Sequence, residues 1–314
     1  MVGGRLILLR TAGILKSMRR LAFAALVVGS AACRAGAQQV PGRELLEFPI
    51  AVGAEAPALA SQAAGALWNP ALVAPTSRNR FVVSAAALNT PIAQGVSAQH
   101  LGANFVLGPS LLGALAITRA QVSDLVRTDD DPSSNGADIP YGTTILSAGL
   151  ATRRGALTAG AALRQRWGTA DAFHASATSI DFGVRLDSAF GLPLRLGASS
   201  FLFSPGRGAD EPLGLAAAAE YPLLRDSTRT VDLGYSFLHT ERLGREHYVY
   251  GAARWHRLDG RVGIAHHDGM VSTTRRIRLG LGLQYARYLV GLAREESGVG
   301  LGASYQFTLT STFK

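Results

Sequence analysis

Polar and apolar positions alternate with a period of two through most of this sequence, and most cleanly at its C-terminal end. In GVGLGASYQFTLTSTFK, Val299, Leu301, Ala303, Tyr305, Phe307, Leu309 and Phe313 share one parity. Gly300, Gly302, Ser304, Gln306, Thr308, Thr310 and Thr312 share the other. Period two places the sets on opposite faces of a strand. The pattern recurs upstream. Ile277, Leu279, Leu281, Leu283 and Tyr285 alternate with Arg276, Arg278, Gly280, Gly282 and Gln284. Ile180, Phe182, Val184 and Leu186 alternate with Asp181, Gly183, Arg185 and Asp187. In a soluble sandwich the apolar face is hidden, whereas a membrane barrel turns it to lipid and accepts Arg and Asp in its lumen. From Arg80 to Phe313 about 14 such segments fit, each strand with its turn taking roughly 17 residues.

Short turns are expected at Leu107-Gly108-Pro109, Arg153-Arg154-Gly155 and Leu258-Asp259-Gly260. Longer polar connections are expected at 128–140, 204–212 and 239–247. This reads as a single all-β transmembrane antiparallel barrel over residues 79–314, with no domain boundary inside it. The last strand, with Tyr305, Phe307, Leu309 and Phe313 on its apolar face, has the form that barrel-assembly machinery reads.

Residues 38–78 do not alternate. EFPIAVGAEAPALASQAAGALW carries helix-compatible alanine runs that Asn69-Pro70 should end, because the residue before a proline is pushed from the helical region. The simplest place for a compact apolar segment ahead of a barrel is the lumen, as a short, partly helical plug.

The stretch GALWNPALVAP, with Trp68, Asn69, Pro70, Ala71 and Ala74, resembles the PorV/PorQ family, within the wider FadL-type group of outer-membrane proteins. The downstream order is similar too: Gln99-His100, then GPSLLGALAIT, an acidic loop, and YGTTILSAGLATRRGALTAGAALRQ. The resemblance implies a 14-stranded barrel with an N-terminal plug. Trp68, Asn69, Pro70 and Ala71 would then form the turn from plug to barrel. It allows two roles: moving a hydrophobic ligand, or holding secretion-system proteins at the outer membrane.

Composition agrees with a chain that does not face water all round: 47% hydrophobic, 17% charged, with 36 glycines, against about 25% charged in ordinary soluble domains. The net charge of +9 belongs mostly to residues 1–37, which hold six basic and no acidic side chains. The remainder has 25 basic against 22 acidic residues, a net of +3, so nucleic acid is not an expected partner. Residues 1–37 read as a leader. Arg19 and Arg20 precede an apolar run from Leu21 to Ala32, and Ala35-Gly36-Ala37 follows as a cleavage site. The expected functional start is Met18 and the expected location the bacterial outer membrane. Cys33 is the only cysteine, so disulfides and thiol catalysis are not expected in residues 38–314.

Neither a nucleophile elbow, nor a P-loop, nor a zincin motif is present. His266-His267-Asp268 falls before Gly269 in an expected turn and reads as a solvated loop rather than a metal site. His174 and Ser176 share a face, as alternation often produces by chance. No enzyme activity, cofactor or metal is expected. The arginines say more. Arg164, Arg166, Arg185, Arg195, Arg276 and Arg278 fall on expected lumen faces. The first reading pairs them with luminal acids such as Asp181, Asp187 and Asp232, stiffening the wall. The second makes them an anion-attracting passage.

Overall fold

The computed structural model describes residues 40–46, 49–60, 63–72, 80–91, 94–127, 138–204, 212–241, 243–269, 273–297 and 302–313. The leader with Cys33, Ala74, most of the acidic loop, and the 299–301 part of the last alternating stretch lie outside the described residues.

Fourteen strands form one closed antiparallel barrel. They are β1 (Phe81–Asn89), β2 (Val96–Val106), β3 (Leu111–Val122), β4 (Tyr141–Arg154), β5 (Leu157–Ala170), β6 (Phe173–Ala189) and β7 (Leu194–Phe201). They continue with β8 (Gly214–Arg225), β9 (Arg229–Thr240), β10 (Gly244–Trp255), β11 (Leu258–Asp268), β12 (Thr273–Tyr285), β13 (Tyr288–Ser297) and β14 (Ala303–Phe313). Each strand pairs with its sequence neighbours, and β1 closes on β14 from Phe81↔Phe313 to Asn89↔Tyr305. Closure satisfies every strand edge, which is what a hydrocarbon environment demands. The register shifts once between β8 and β9, at Pro222/Leu224, where the proline cannot donate to the ladder.

Alternation translates directly into inside and outside. On β14, Phe307 is 48% exposed while its neighbour Thr308 is 3% exposed. Tyr305 and Leu309 point outward with Phe307, and Gln306, Thr308 and Thr310 are buried toward the lumen. Ile264, Ile277, Leu279, Leu281, Phe182 and Val184 continue the exposed apolar surface around the barrel.

With fourteen strands, β1 begins and β14 ends at the same end of the barrel. The connections there, such as 155–156, 226–228 and 256–257, run to at most 4 residues. At the opposite end, 123–140 takes 18 residues and 202–213 takes 12.

Three expected connections shift. Leu258-Asp259-Gly260 is the start of β11, and the turn is 256–257. The 239–247 stretch is mostly strand, leaving only 241–243 between β9 and β10. His266-His267-Asp268 ends β11 rather than lying in a turn. In each case the backbone pairing of a hairpin extends through residues whose side chains are polar, because polar composition alone does not break a ladder.

The described part of residues 40–72 lies against the inner wall. It contains no α-helix; four short 3₁₀ turns take its place, at Glu44–Leu46, Pro57–Leu59, Ala63–Leu67 and Pro70–Leu72. The alanine runs thus form short 3₁₀ turns and not a continuous α-helix among the described residues. Prolines at 57 and 70 bound a run of twelve residues, which is marginal for an isolated helix.

Candidate functional site

The candidate site is the lumen, where residues 40–72 meet the wall. Four inward glycines approach the segment closely, Gly168 of β5 against the Pro41 carbonyl among them. A Cβ at Gly160 would collide with the Pro70 carbonyl, one at Gly183 with the Asn69 side chain, and one at Gly197 with the Ala58 carbonyl. The wall is bare where the segment's backbone needs room.

Asn69 holds the turn together. Its Nδ2 donates to the Ala58 carbonyl at 2.8 Å and to the Val184 carbonyl of β6 at 3.2 Å. Its Oδ1 accepts from the Ala71 N–H at 2.9 Å. The third bond is the cap geometry in which an asparagine oxygen satisfies an orphan N–H at the start of a turn. The Trp68 indole donates to the Ile50 carbonyl at 2.8 Å and stacks on Phe201 of β7, with centroids 4.6 Å apart and planes at 20°. Pro70 and Ala71 begin the last 3₁₀ turn and are buried.

The arginines divide by partner. Arg164 and Asp181, on adjacent strands, form an ion pair at 2.8 Å with both side chains fully buried, and the Arg164 guanidinium lies over Phe201 at 4.7 Å. Arg166 donates to two carbonyls of the N-terminal segment, Pro41 at 2.7 Å and Val40 at 2.9 Å. Arg185 pairs with Asp187 at 2.6 Å. Arg195 pairs with Glu220 and approaches Asp232 at 3.5 Å. Arg278 grips Glu246 with two bonds of 2.8 Å and also contacts Glu295, which Arg276 reaches at 3.1 Å. Arg–carboxylate forks of this kind are the strong class of ion pair.

Several functional residues were not singled out from the sequence. Glu55 on the segment pairs with Arg261 of β11. Tyr248 donates to the Ala54 carbonyl at 2.8 Å, and Gln306 both donates to the Pro49 carbonyl at 3.1 Å and accepts from the Gly53 N–H at 2.7 Å. Tyr250 donates to Glu220 at 2.9 Å. Their inward parity was readable, but their partners are more than a hundred residues away in several cases and carry no local signal.

The two sides of the lumen differ. On β7–β13 the wall carries the Arg–carboxylate pairs, of which Glu55–Arg261 reaches the segment, and Ala56, Ala58 and Leu59 pack there on Ala216, Ala218, Tyr248 and Tyr250. On β1–β4 the segment faces an apolar surface in which Leu45, Leu46, Ile50, Val52, Leu67, Trp68 and Leu72 pack with Leu88, Ala98, Ala120 and Ile145. The gaps left between segment and wall are small. One of about 80 Å³ lies among Glu55, Arg195, Glu220, Asp232, Tyr250 and Arg261. Another of about 10 Å³ lies among Leu67, Pro70, His100 and Ala114. Pockets for small organic ligands run to about 300–1,000 Å³.

The remaining candidates separate. His174 and Ser176 sit on the exposed face of β6, with His174 bonded to Thr169 at 3.1 Å. His266 bonds Asp268 at 3.2 Å on the outer face, while His267 has the opposite parity. Among the described residues no group of three or more His, Cys, Asp and Glu could hold a metal ion.

The barrel is similar to solved outer-membrane proteins. The Pseudomonas putida toluene transporter TodX aligns over 88% of this chain and 99% of its own at a TM-score of 0.52 and 12% identity. Omp33 of Acinetobacter baumannii covers 75% of this chain and 98% of its own, at a TM-score of 0.42 and 8% identity. OprB of Pseudomonas putida covers 75% and 92%, at a TM-score of 0.41 and 12% identity. At these identities the TodX likeness speaks for the fold alone. No protein-family model matches the sequence, and no curated protein matches it either.

Proposed function

We propose that this chain is an outer-membrane barrel whose N-terminal segment, 38–78, is a displaceable lumen plug, and that it moves small hydrophobic molecules across the membrane. The observation that carries this reading is the apolar seam between the segment and β1–β4. Displacement of the segment would open an apolar face there, which suits a hydrophobic ligand. On the other side Glu55–Arg261 and the hydrogen bonds from Tyr248 and Gln306 hold the segment to the wall, and these contacts would release with it. The exposed apolar outer face supports a membrane location, and short turns at the end where β1 begins and β14 ends support placing that end in the periplasm. TodX, similar in fold, is a toluene transporter, which agrees with this substrate class.

A second reading draws on the packed lumen: the barrel passes nothing, and its rim holds secretion-system proteins. The PorV/PorQ resemblance, carried by Trp68–Ala71, allows this reading as well as the first.

A reversible lock tests both. Residues 38–314 contain no cysteine, and a Cβ at Gly280 would lie 2.9 Å from the Ala54 Cβ. Ala54→Cys with Gly280→Cys would tie the segment to β12. Toluene uptake into proteoliposomes should occur in the reduced protein and stop in the oxidised one. Equal uptake in both states would refute the moving plug. No uptake in either, with a protein partner retained on gentle purification, would favour the second reading.

A further inference from the structure

The outer face is not uniform around its rim. At the long-loop end of β10–β12, the outward positions above the apolar band are Arg245, His247, His266 and Arg275. The register places them together: His247 is opposite His266, and His266 is opposite Arg275. Arg245 is opposite Asp268, two residues beyond His266. Arg245 and Arg275 are exposed, and among the described residues neither has an ion-pair partner. They sit two strands apart and two residues offset along the strands, about 12 Å between backbones, within reach of one headgroup for two arginine side chains. Directly below them along the same strands, Val249, Ile264 and Ile277 are exposed and apolar. Tyr235 flanks the cluster and donates to or accepts from His247 at 2.7 Å.

The same level on the other half of the barrel is built differently. The row that the register sets there on β2–β6 is Gln99, Arg119, Thr144, Trp167 and Ser176, with Arg119 as its one arginine. A generic rim would show no such division.

We propose that the outer face of β10–β12 is a binding surface for the phosphate of a membrane lipid, with its acyl chains lying on Val249, Ile264 and Ile277. Guanidinium groups match phosphate oxygens with paired donors, and basic clusters beside the hydrocarbon boundary bind anionic headgroups. The continuity of cations with an apolar strip on the same strands selects a lipid over free phosphate, which has no use for the strip. Asp268, tied to His266 and to Thr273 at 3.0 Å, leaves the arginines as the open donors. This inference rests on the membrane location proposed above and not on transport.

The test is native mass spectrometry of the delipidated full barrel with phosphatidic acid, with diacylglycerol as its uncharged counterpart, and with inorganic phosphate as competitor. Wild type should retain phosphatidic acid over diacylglycerol by about 30-fold, from two arginines near the headgroup. Arg245→Gln with Arg275→Gln should abolish that preference, and Arg119→Gln should keep it. Equal retention of both lipids by wild type, survival of the preference in the double variant, or displacement by inorganic phosphate at matched concentration would each overturn the proposal. Heat-dependent gel mobility and toluene uptake of the double variant should remain those of wild type, so failure here is distinguishable from failure of the membrane or transport readings.

Discussion

The Asn69 side chain occupies the space where any residue other than glycine at 183 would place its Cβ. One bond from Asn69 reaches the wall at the Val184 carbonyl, and two hold the segment's own turns. The turn at Asn69 is therefore fitted to one bare patch of β6.

Gly183→Val should unseat this turn while leaving the strand's outer face intact. Overpacking of this kind costs about 1–3 kcal/mol. The temperature at which the folded band converts to the unfolded band on a gel should fall, and an unchanged conversion temperature would show that the segment does not press on β6.

Asn69→Ala should cost about 1–3 kcal/mol, since it removes a cap, the donor to the buried Ala58 carbonyl and the bond to the wall at Val184. Asn69→Asp keeps the acceptor to Ala71 but not the two donations, and should recover only part of the loss. Urea midpoints of the three proteins check this order.

Arg278 is 2% exposed and depends on Glu246 and Glu295. Glu246→Leu should destabilise by about 3 kcal/mol, because a buried charge loses its bidentate partner. Glu246→Leu with Arg278→Met should be distinctly more stable than Glu246→Leu alone. A double variant no better than the single one would show that Glu295 alone neutralises Arg278.

The three tryptophans report on three environments. Trp68 is 2% exposed inside the barrel, whereas Trp167 is 45% and Trp255 60% exposed on the outer face, near opposite ends. Brominated lipids should quench Trp167 and Trp255 and spare Trp68. Trp68→Phe should remove the unquenched, blue-shifted fraction; if that fraction stays, Trp68 does not sit in the lumen.

Asp226, in the turn between β8 and β9, accepts N–H bonds from Thr228 at 2.8 Å and Arg229 at 2.7 Å, which lower its carboxyl below the ordinary carboxylate range. A depressed folded pKa adds stability above the unfolded value, near 3.9, and that stability is lost as pH falls through the folded value. Asp226→Asn should therefore narrow the gap in unfolding midpoint between pH 7 and pH 3, the change arising mainly from loss at pH 7. An unchanged gap would show that the turn's bonds do not hold the carboxylate.

The barrel was legible in the sequence, and the interior was legible only in part. Phe307 against Thr308, and Ile277 against Arg278, show why. Side-chain direction on a strand depends on parity alone, so inside and outside follow from local pattern without knowledge of neighbours. Strand number followed from spacing, and the inward arginines from the same parity. The sequence could not say that Arg278 meets Glu246 or that Arg166 meets the carbonyls of Val40 and Pro41. Those partners depend on register between strands and on where an aperiodic segment lies within the closed barrel. The 3₁₀ turns of residues 40–72 were hidden for the same reason. Their seating depends on glycines such as Gly160 and Gly183, which leave room for them from strands far along the chain. Local periodicity thus determined the wall, and only closure of the wall around the segment decided what each inward side chain touches.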